Sequence, residues 1–471
     1  MNRLATGLPG AGDPRWRVAP RTGTEKPTRF LPFAPPFVPR TGQRLRWLRA
    51  VRLVLLEDGF PGRLRDGSIV VHALDGRYLL EALMAEQAAH PRRRLHPAIL
   101  RTAEAIIGRA DRSGDALVMT YTDTASSLAA GRPHASALAQ AYYAAALAEA
   151  GTLLGSRTLL HAADAFFAPV LRPVNHGGTL YRSGNDVIPA LVPARPRDLV
   201  LNGWLSTLVA VDGYAARRDS DAARQLLRDS ARTLARFLPR YDVPNLHLSR
   251  YGLTGPLLLR IGLSGGAVGG VRFSRLRVAI PGEGEQRLPS RSAGRWSNRA
   301  YPEDAAVELD AAGKETLIPH ARGLRLVAVL SRAPFPRANR LRFTIRTPRE
   351  LTATITAHIG RYDPGTSATV DRGWVTLGTR ALHRGANVVD LELPYEEIDL
   401  FAYPTNFTRG GPGTKVNTYH GTHIVRLRQL ATATGRQELL DWADRWMGYV
   451  DQWSMHPSYA DGVCWTPEGE L

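Results

Sequence analysis

The chain has 471 residues, of which 44% are hydrophobic, so it is long enough to bury a sizeable core and to form two or three domains. Lys and Arg together number 61 against 43 Asp and Glu, and the net charge of +18 favours nucleic acid, membrane surfaces or polyanionic substrates as partners. The single cysteine, Cys464, excludes an internal disulfide and a thiolate metal cluster.

The positive charge has two explanations. Apart from Lys26, Lys314 and Lys415 the cationic residues are arginines, which a GC-rich genome explains as well as a polyanion-binding role does. The first thirty residues lack the apolar core of a secretion signal, and no apolar stretch approaches membrane-spanning length. We therefore expect a cytoplasmic protein without a membrane span.

The N-terminal part of the sequence shows little periodicity. Residues 1–45 are rich in Pro, Gly and Arg and predict an extended or disordered arm. The run 67–76 is apolar and β-branched before its final Asp75-Gly76 pair, which predicts a short strand that ends in a turn. Helical periodicity begins soon afterwards.

Four stretches share one pattern, an apolar helix, a short polar or glycine-containing turn and a second amphipathic helix. They are 78–107, 136–171, 204–238 and 423–453. In the third, Leu227, Ala231 and Leu234 follow the spacing of one buried helix face. Because such hairpins bury their apolar faces only by stacking, they predict either an open solenoid or a ring of helix pairs, the α/α toroid.

Between residues 256 and 409 the pattern changes to alternating or β-branched runs separated by Gly and Pro turns. The clearest runs are 324–330, 340–345, 352–357 and 388–393. They predict a β-sandwich inserted into the helical domain. Such modules often bind sugars through exposed aromatic residues, and Tyr301 is one candidate, although large aromatic residues are more often buried.

Two runs far apart in the chain, 199–204 and 417–424, are each expected to begin an amphipathic helix. Free backbone N–H groups and the positive end of the helix dipole favour bound anions there. An anionic ligand is therefore the first expectation for a site formed by both runs. His420 and His423 are three residues apart, but no HExxH pattern or nearby carboxylate accompanies them, so no metal is predicted.

Five short segments occur in a defined order, at 136–142, 193–203, 238–242, 419–424 and 443–449. In sequence and order they resemble the C-terminal catalytic domain of the D-glucuronyl C5-epimerases, which invert glucuronate to iduronate within a heparan-type polysaccharide. The resemblance covers about 131–250 and 417–449. With the hairpins, it favours an α+β fold class in which an incomplete α/α toroid over 46–255 and 410–471 carries an antiparallel β-sandwich inserted at 256–409.

The resemblance implies an isomerase that acts on an acidic polysaccharide, as in glycosaminoglycan biosynthesis, without a cofactor. Removing the hydrogen at C5 of a uronate creates an enolate-like anion, which preorganised donors or cations must stabilise. Inversion then needs a proton from the other face, so two acid/base groups must flank the sugar ring. Tyrosine can serve if neighbouring positive charge lowers its pKa from about 10.

The resemblance also assigns roles to individual residues. By resemblance, the proton-transfer residues are Tyr251 and Tyr419. The predicted substrate-binding residues lie in the same motifs and are Asn202, Tyr241, Arg250, His420 and His423. The simpler interpretations, Tyr419 as a packing residue at a helix start and Asn202 as an N-cap, stay open.

The sequence departs from the family pattern at two places. Family members carry a third functional tyrosine just before the first proline of the loop that leads to the Leu-Asn-Gly motif, where this chain has Leu191-Val192-Pro193. The arginine expected after Tyr251 is also absent, although the adjacent Arg250 can reach the same anion. Because the insertion separates the last two motifs, both of its ends should meet at the groove, with the module over or beside the cleft.

Other functions stay open on the sequence alone. A polysaccharide lyase shares the first chemical step but expels the C4 substituent instead of returning the proton. A non-catalytic glycan-binding or assembly protein is suggested by Leu191 and Val192, which replace the reactive loop. No recognition helix or RNA-binding motif supports a nucleic-acid partner, so none is predicted. The identity and sulfation of the glycan, and the formation of a homodimer, are left open.

Overall fold

A computed structural model of the chain describes residues 53–65, 68–91, 94–121, 133–193, 199–244, 247–280, 284–290, 299–301, 304–331, 339–358, 374–393, 408–411 and 414–455. It combines helices with several antiparallel sheets, so the α+β class is confirmed. The predicted arm at 1–45 and Cys464 lie outside the described residues.

The described residues contain eight α-helices. They are α1 (Asp75–Ala89), α2 (His96–Arg109), α3 (Ala137–Leu154), α4 (Arg157–Leu171), α5 (Leu201–Arg218), α6 (Asp221–Tyr241), α7 (Thr418–Thr434) and α8 (Gln437–Gln452). Consecutive helices pack in pairs, and the four pairs occupy the four stretches in which the sequence predicts hairpins. The helical periodicity of those stretches is therefore confirmed.

The second, third and fourth hairpins share one kind of turn. The first helix of each ends at a residue in the left-handed region, namely Gly155, Asp219 or Gly435, with φ of 64°, 49° and 66°. A serine follows in two of them and caps the next helix. Ser156 Oγ accepts from the Leu159 N–H at 3.4 Å, and Ser220 Oγ accepts from the Ala223 N–H at 3.3 Å. In these two hairpins, the left-handed residue and the serine after it thus reverse the chain. The serine also accepts from an N–H in the first turn of the next helix.

The helix pairs pack side by side around one core. The first helices of successive pairs contact one another, α1 with α3, α3 with α5 and α5 with α7. Buried side chains from all eight helices form one hydrophobic cluster, which extends along the chain from Phe60 to Trp453. Packing of this kind fixes the starts of α5 and α7 relative to each other.

Short strands flank the helices. They are β1 (Leu53–Leu55), β2 (Pro61–Arg65), β3 (Ser68–Val70), β4 (Asp111–Ser113), β5 (Ala116–Val118), β6 (Thr120–Tyr121), β7 (His134–Ala135), β8 (Leu180–Ser183), β9 (Asp186–Pro189), β10 (Asp242–Val243) and β11 (Leu248–Ser249). The first three form one antiparallel sheet, and the others pair as two-stranded hairpins.

The predicted turn at Asp75-Gly76 is wrong, because these two residues begin α1. Asp75 is buried and accepts two short hydrogen bonds from the Arg63 guanidinium, at 2.6 and 2.8 Å. A carboxylate in a first helical turn is also favoured by the helix dipole. A side chain at Gly76 would lie 2.4 Å from the Phe60 ring, so close packing explains this glycine.

The insertion consists of two antiparallel sheets. Its strands are β12 (Thr254–Ser264), β13 (Arg272–Ile280), β14 (Gly284–Arg287), β15 (Arg299–Ala300), β16 (Ala305–Leu309), β17 (Glu315–Pro319), β18 (Gly323–Ser331), β19 (Asn339–Thr347), β20 (Leu351–His358), β21 (Trp374–Leu382) and β22 (Gly385–Leu393). The sheet orders are β15-β18-β12-β20-β21 and β16-β17-β13-β19-β22, with β14 beside β13. The four clearest predicted runs all lie in these strands, namely in β18, β19, β20 and β22.

Both sheets contribute to a second hydrophobic cluster, distinct from that of the helices. Alternate residues of β12, from Leu257 to Leu263, point into it, as expected for strands with one buried face. A final hairpin of β23 (Thr408–Gly411) and β24 (Thr414–Val416) leads into α7. Tyr301 is buried and lies under the Arg325 guanidinium, so it packs in the module.

Among the described residues, none of the helices combines the length and the apolar character needed to cross a bilayer.

Candidate active site

The start of α5 is held by contacts from the segment around residue 250. Leu199 has φ of 47°, a left-handed conformation that costs a residue with a side chain about 1–2 kcal/mol. Its carbonyl accepts from the Tyr241 hydroxyl at 2.7 Å, and the Leu201 N–H donates to the Tyr251 carbonyl at 2.8 Å. The surrounding contacts therefore stabilise a backbone conformation that the sequence alone disfavours.

The start of α7 is capped by the side chain of the residue that precedes it. Asn417 is the N-cap, and its side-chain oxygen accepts from the His420 N–H at 3.0 Å. Tyr419 lies in the first turn and is 37% exposed. As the sequence predicts, each of the two runs begins a helix. In α7, the first turn presents Tyr419 to solvent while His420 points inward.

Tyr251 and Tyr419 lie in direct contact. Their ring centroids are 4.8 Å apart and the ring planes make an angle of 72°, an edge-to-face arrangement. Tyr251 is half-buried. The two residues are separated in sequence by the whole insertion, since Tyr251 precedes β12 by three residues and Tyr419 follows β24 by three. The two ends of the insertion therefore meet beside these two phenols.

Asn202 lies inside the first turn of α5, whose N-cap is Val200, so Asn202 is not the N-cap. Its Oδ1 atom is buried and accepts no hydrogen bond in the described part of the chain. A buried acceptor without a partner costs about 1–3 kcal/mol. The oxygen is a buried acceptor that the described residues leave unused.

His420 and His423 lie beneath the surface, and both are 0% exposed. Burial lowers the pKa of His420 to about 4, and burial followed by the neighbouring His420 lowers the pKa of His423 well below its ordinary value. Both imidazoles are therefore neutral near pH 7. Neither ring reaches solvent, whereas the sequence predicts that both residues bind substrate.

Tyr241 and Arg250 also differ from their predicted substrate-binding roles. Tyr241 is 0% exposed, burial raises the pKa of its phenol, and its hydroxyl donates to Leu199. It therefore supports the start of α5. Arg250 is 1% exposed, and its backbone N–H donates to the Tyr241 carbonyl at 2.7 Å. A guanidinium keeps its proton even when buried, so Arg250 places a fixed positive charge next to Tyr251 in the chain.

Asp242 connects two of the segments that carry the family resemblance. Its carboxylate accepts from Arg445 Nη2 at 2.7 Å, from Trp446 Nε1 at 3.1 Å and from the Tyr449 hydroxyl at 2.9 Å. Burial and then Asp242 raise the pKa of Tyr449 to about 12, so its phenol remains a donor. The segment 443–449 is thus attached to the end of α6, behind the tyrosine pair.

Leu191 and Val192, where the family carries its third tyrosine, have packing roles. A side chain at Gly203 would lie 2.4 Å from both terminal methyl groups of Leu191, so Leu191 packs directly on this glycine. Val192 is 5% exposed. A larger residue at Gly203 would therefore displace the Leu191 side chain from α5.

Tyr121 lies between two imidazoles, and no motif in the sequence points to it. Its ring stacks on His134, its partner across β6 and β7, at 5.2 Å, and meets His72 edge-on at 5.5 Å. Burial raises the pKa of Tyr121, and Tyr251 is among the phenols that raise it further. In the sequence, only alternating side chains along β6 and β7 could have indicated that Tyr121 pairs with His134. Each of these strands is only two residues long.

Two charged side chains near the start of α1, Asp75 and Arg77, are buried. The Arg77 guanidinium lies 3.8 Å from the centre of the Tyr142 ring and 5.0 Å from that of Tyr78. Burial raises the pKa of Asp75 to about 6, against the opposing effect of Arg63. No group of three or more His, Cys, Asp or Glu side chains suited to a metal ion occurs among the described residues.

Residues 114–257 match the model of one protein family. The family is described as D-glucuronyl C5-epimerase C-terminus, and the match confirms the resemblance found in the motifs. It covers just under a third of the chain, includes Asn202 and Tyr251, and ends before Tyr419. No curated protein matches the chain significantly.

Proposed function

We propose that the protein is a uronyl C5-epimerase that inverts glucuronate to iduronate in an acidic, heparan-type polysaccharide. The observation that carries this proposal is the contact between Tyr251 and Tyr419, with ring centroids 4.8 Å apart at a partly exposed position. The match over residues 114–257 supports the reaction class, and the contact adds Tyr419, which lies outside the match.

In the proposed reaction one phenolate removes the C5 hydrogen and the other phenol returns a proton to the opposite face. The enolate-like anion formed in between needs nearby positive charge. Arg250, a buried guanidinium, and the positive ends of the α5 and α7 helix dipoles supply it. Because the two rings are in contact, a pyranose that binds between the phenols must move them apart.

The substrate contacts in this proposal come from few residues. Asn202 accepts a hydrogen bond from a sugar hydroxyl, since its buried Oδ1 has no hydrogen-bond partner within the described residues. Tyr241, His420 and His423 act from behind the site. The proposed chemistry therefore depends on a few residues that contact the substrate, and a larger number of buried residues hold them in place.

The architecture proposed for this activity is an incomplete α/α toroid with an inserted β-sandwich. Successive contacts from α1 to α7 support the toroid, and the core shared by both sheets supports the sandwich. Because the insertion begins and ends beside Tyr251 and Tyr419, the module lies next to the cleft and contributes to holding a polysaccharide.

The test is to incubate the protein with heparosan-like glycan in deuterated water and to follow the uronate protons by NMR. We expect deuterium at C5 together with iduronate signals. Ultraviolet absorbance from an unsaturated uronate would instead identify a lyase. Neither product at saturating glycan would identify a non-catalytic binding protein.

A further inference from the structure

Ser249 connects two distant parts of the chain beneath the tyrosine pair. Its hydroxyl oxygen lies 2.8 Å from Nδ1 of His420 and 2.7 Å from Nδ1 of His423. Its backbone N–H donates to the same His420 nitrogen at 3.0 Å. All three residues are 0% exposed, so water does not compete for these hydrogen bonds.

The backbone donor fixes the protons of this group. Since Nδ1 of His420 accepts from a backbone N–H, the ring proton is on Nε2, which donates to the Trp446 carbonyl at 3.0 Å. The Ser249 hydroxyl then donates to His420 as well, because otherwise two lone pairs would face each other. In this arrangement the Ser249 oxygen accepts from His423, which carries its proton on Nδ1.

The proton assignment also accounts for the other nitrogen of His423. Its Nε2 atom is buried and has no hydrogen-bond partner in the described part of the chain. With the proton on Nδ1, Nε2 presents a lone pair to its apolar surroundings. The alternative tautomer would leave a buried N–H donor unpaired, in addition to the facing lone pairs at Ser249.

The location of these hydrogen bonds relates them to the site. Ser249 precedes Tyr251 by two residues, and His420 follows Tyr419 directly, although 171 residues separate Ser249 from His420. Ser249 also pairs across β10 and β11 with Asp242, which binds the segment 445–449. Strand β11, which precedes Tyr251, is therefore hydrogen-bonded to α7 through Ser249. It is also paired with β10, whose Asp242 binds α8.

We propose that Ser249 is a positioning residue, whose hydroxyl joins His420 to His423 and so fixes the backbone segments that carry Tyr251 and Tyr419 relative to each other. The proposal rests on the proposed function only where activity is measured. Ser249 does not reach solvent, so it acts through the backbone segments that carry the two phenols and not through contact with the substrate.

The test compares Ser249→Ala with Ser230→Ala. Ser230 is an equally buried serine of the helical core, and its hydroxyl accepts one hydrogen bond from Trp204 Nε1 at 2.9 Å, away from the tyrosine pair. Both proteins are labelled with 3-fluorotyrosine, and the fluorine resonances of Tyr251 and Tyr419 are assigned with the corresponding phenylalanine variants. We expect both resonances to shift in Ser249→Ala and neither to shift in Ser230→Ala.

Activity provides the second measurement. We expect kcat for C5 label incorporation to fall at least tenfold in Ser249→Ala with KM changed less than threefold, and both to change less than twofold in Ser230→Ala. Equal losses in the two variants, or unshifted Tyr251 and Tyr419 resonances in Ser249→Ala, would overturn the positioning role. If the wild-type protein incorporates no label, the proposed function fails, while the fluorine spectra still decide the role of Ser249.

The wild-type protein offers a test that no folding defect can obscure. Nitrogen-15 NMR of histidine-labelled protein at pH 7, assigned with His420→Gln and His423→Gln, reports the ring tautomers. We expect the proton of His420 on Nε2 and that of His423 on Nδ1. A proton on Nδ1 of His420 is incompatible with the hydrogen bonds described, and the proposal would be abandoned.

Discussion

The helical region and the β-rich insertion differ in the polar groups that they bury. Beside the tyrosine pair the helices bury two imidazoles, a guanidinium and an asparagine, at His420, His423, Arg250 and Asn417. In the described insertion the buried polar residues are Ser290, Asn339 and Thr347, and charged residues such as Arg340 and Arg342 form exposed ion pairs. Two cores of similar apolar character therefore differ in the chemistry they contain.

Burial of polar groups is unfavourable unless they are hydrogen-bonded, and burial of charge more so. A region that keeps such groups close to one exposed and one half-buried phenol is a candidate for function, whereas a region with an apolar core and surface ion pairs is explained by stability alone. The comparison predicts that substitutions near the tyrosine pair change activity and pH dependence, and that charge substitutions in the insertion change little.

The largest expected effect follows from removing a phenol of the pair. Tyr419→Phe should lower C5 label incorporation by about 10²–10⁴-fold, the usual contribution of a positioned acid or base, because the ring remains and only the hydroxyl is lost. Tyr251→Phe should have a similar effect. The measurement is deuterium incorporation from solvent, with the thermal midpoint of each variant recorded alongside.

Tyr214→Phe is the matched control for both variants. Its hydroxyl donates to Asp164 at 2.7 Å and its ring stacks on Phe167, away from the pair. Full activity in Tyr419→Phe, or an equal loss in Tyr214→Phe, would remove the pair from the mechanism.

The next effect concerns the stability of the helical region. Asp242→Ala should reduce the free energy of unfolding by about 3 kcal/mol, because it leaves Arg445, Trp446 and Tyr449 without a shared, nearly buried acceptor. Asp444→Ala removes an exposed carboxylate that pairs with Arg428 at 2.9 Å and should cost much less. Denaturant unfolding monitored by far-ultraviolet circular dichroism distinguishes them, and equal losses would contradict a special role for Asp242.

Acidification should act through the buried histidines. Between about pH 6.5 and 4 the unfolded chain binds a proton at His420 that the folded protein does not, so lowering the pH favours unfolding. Asp75 opposes this, because its raised pKa of about 6 lets the folded protein bind a proton that the unfolded chain binds only near 3.8. The two buried histidines together are expected to outweigh Asp75, and stability should fall.

His420→Gln isolates one of these protons. The difference in unfolding free energy between the wild type and this variant should shrink by about 1.4 kcal/mol per pH unit as the pH falls below 6.5. Denaturant titrations at pH 7.5, 6.0 and 5.0 measure it. A difference that stays constant over this range would show that His420 is protonated in the folded protein, contrary to its burial.

A smaller effect is expected at Asn202. Asn202→Ala removes a buried oxygen without a hydrogen-bond partner in the described residues and introduces a better helix former, so stability should be unchanged or slightly higher. If Asn202 accepts a hydrogen bond from the substrate, KM should rise about tenfold. An unchanged KM would mean that the substrate does not reach the start of α5.

Much of the fold could be predicted because its signals are local. The four hairpins follow from helical periodicity and the strands of the insertion from alternation, and both signals act within one element. Asp75-Gly76 was assigned to a turn because this pair is typical of turns. Its place in a helix depends on Arg63 and Phe60, which contact it only in the folded protein.

The site could be predicted only where the family resemblance reached. It singled out Tyr251 and Tyr419, but the sequence could not show which polar residues lie behind them. Hydrogen bonds between Ser249 and a histidine 171 residues away leave no periodic or compositional signal. The same holds for Tyr121, whose pairing with His134 comes from two strands too short to be recognised in a sequence.

The smallest effect should come from the insertion, in the ion pairs on the outer face of its six-stranded sheet. There Arg342 contacts Glu285 at 2.5 Å and Asp390 at 3.1 Å, and Arg340 contacts the same Asp390 at 2.8 Å. These arginines lower the pKa of Glu285 and of Asp390, but all four side chains are about a third or more exposed. Water and salt screen such pairs strongly.

Arg342→Gln should therefore leave the denaturation midpoint within experimental error of the wild type, and any difference should disappear in about 1 M salt, where the screening length is about 3 Å. C5 label incorporation should be unaffected, because this sheet face carries none of the proposed site residues. A loss of stability comparable to that of Asp242→Ala would contradict the comparison, since the insertion would then depend on its charges as strongly as the helical region does. The two variants, measured under one set of conditions, decide between these outcomes.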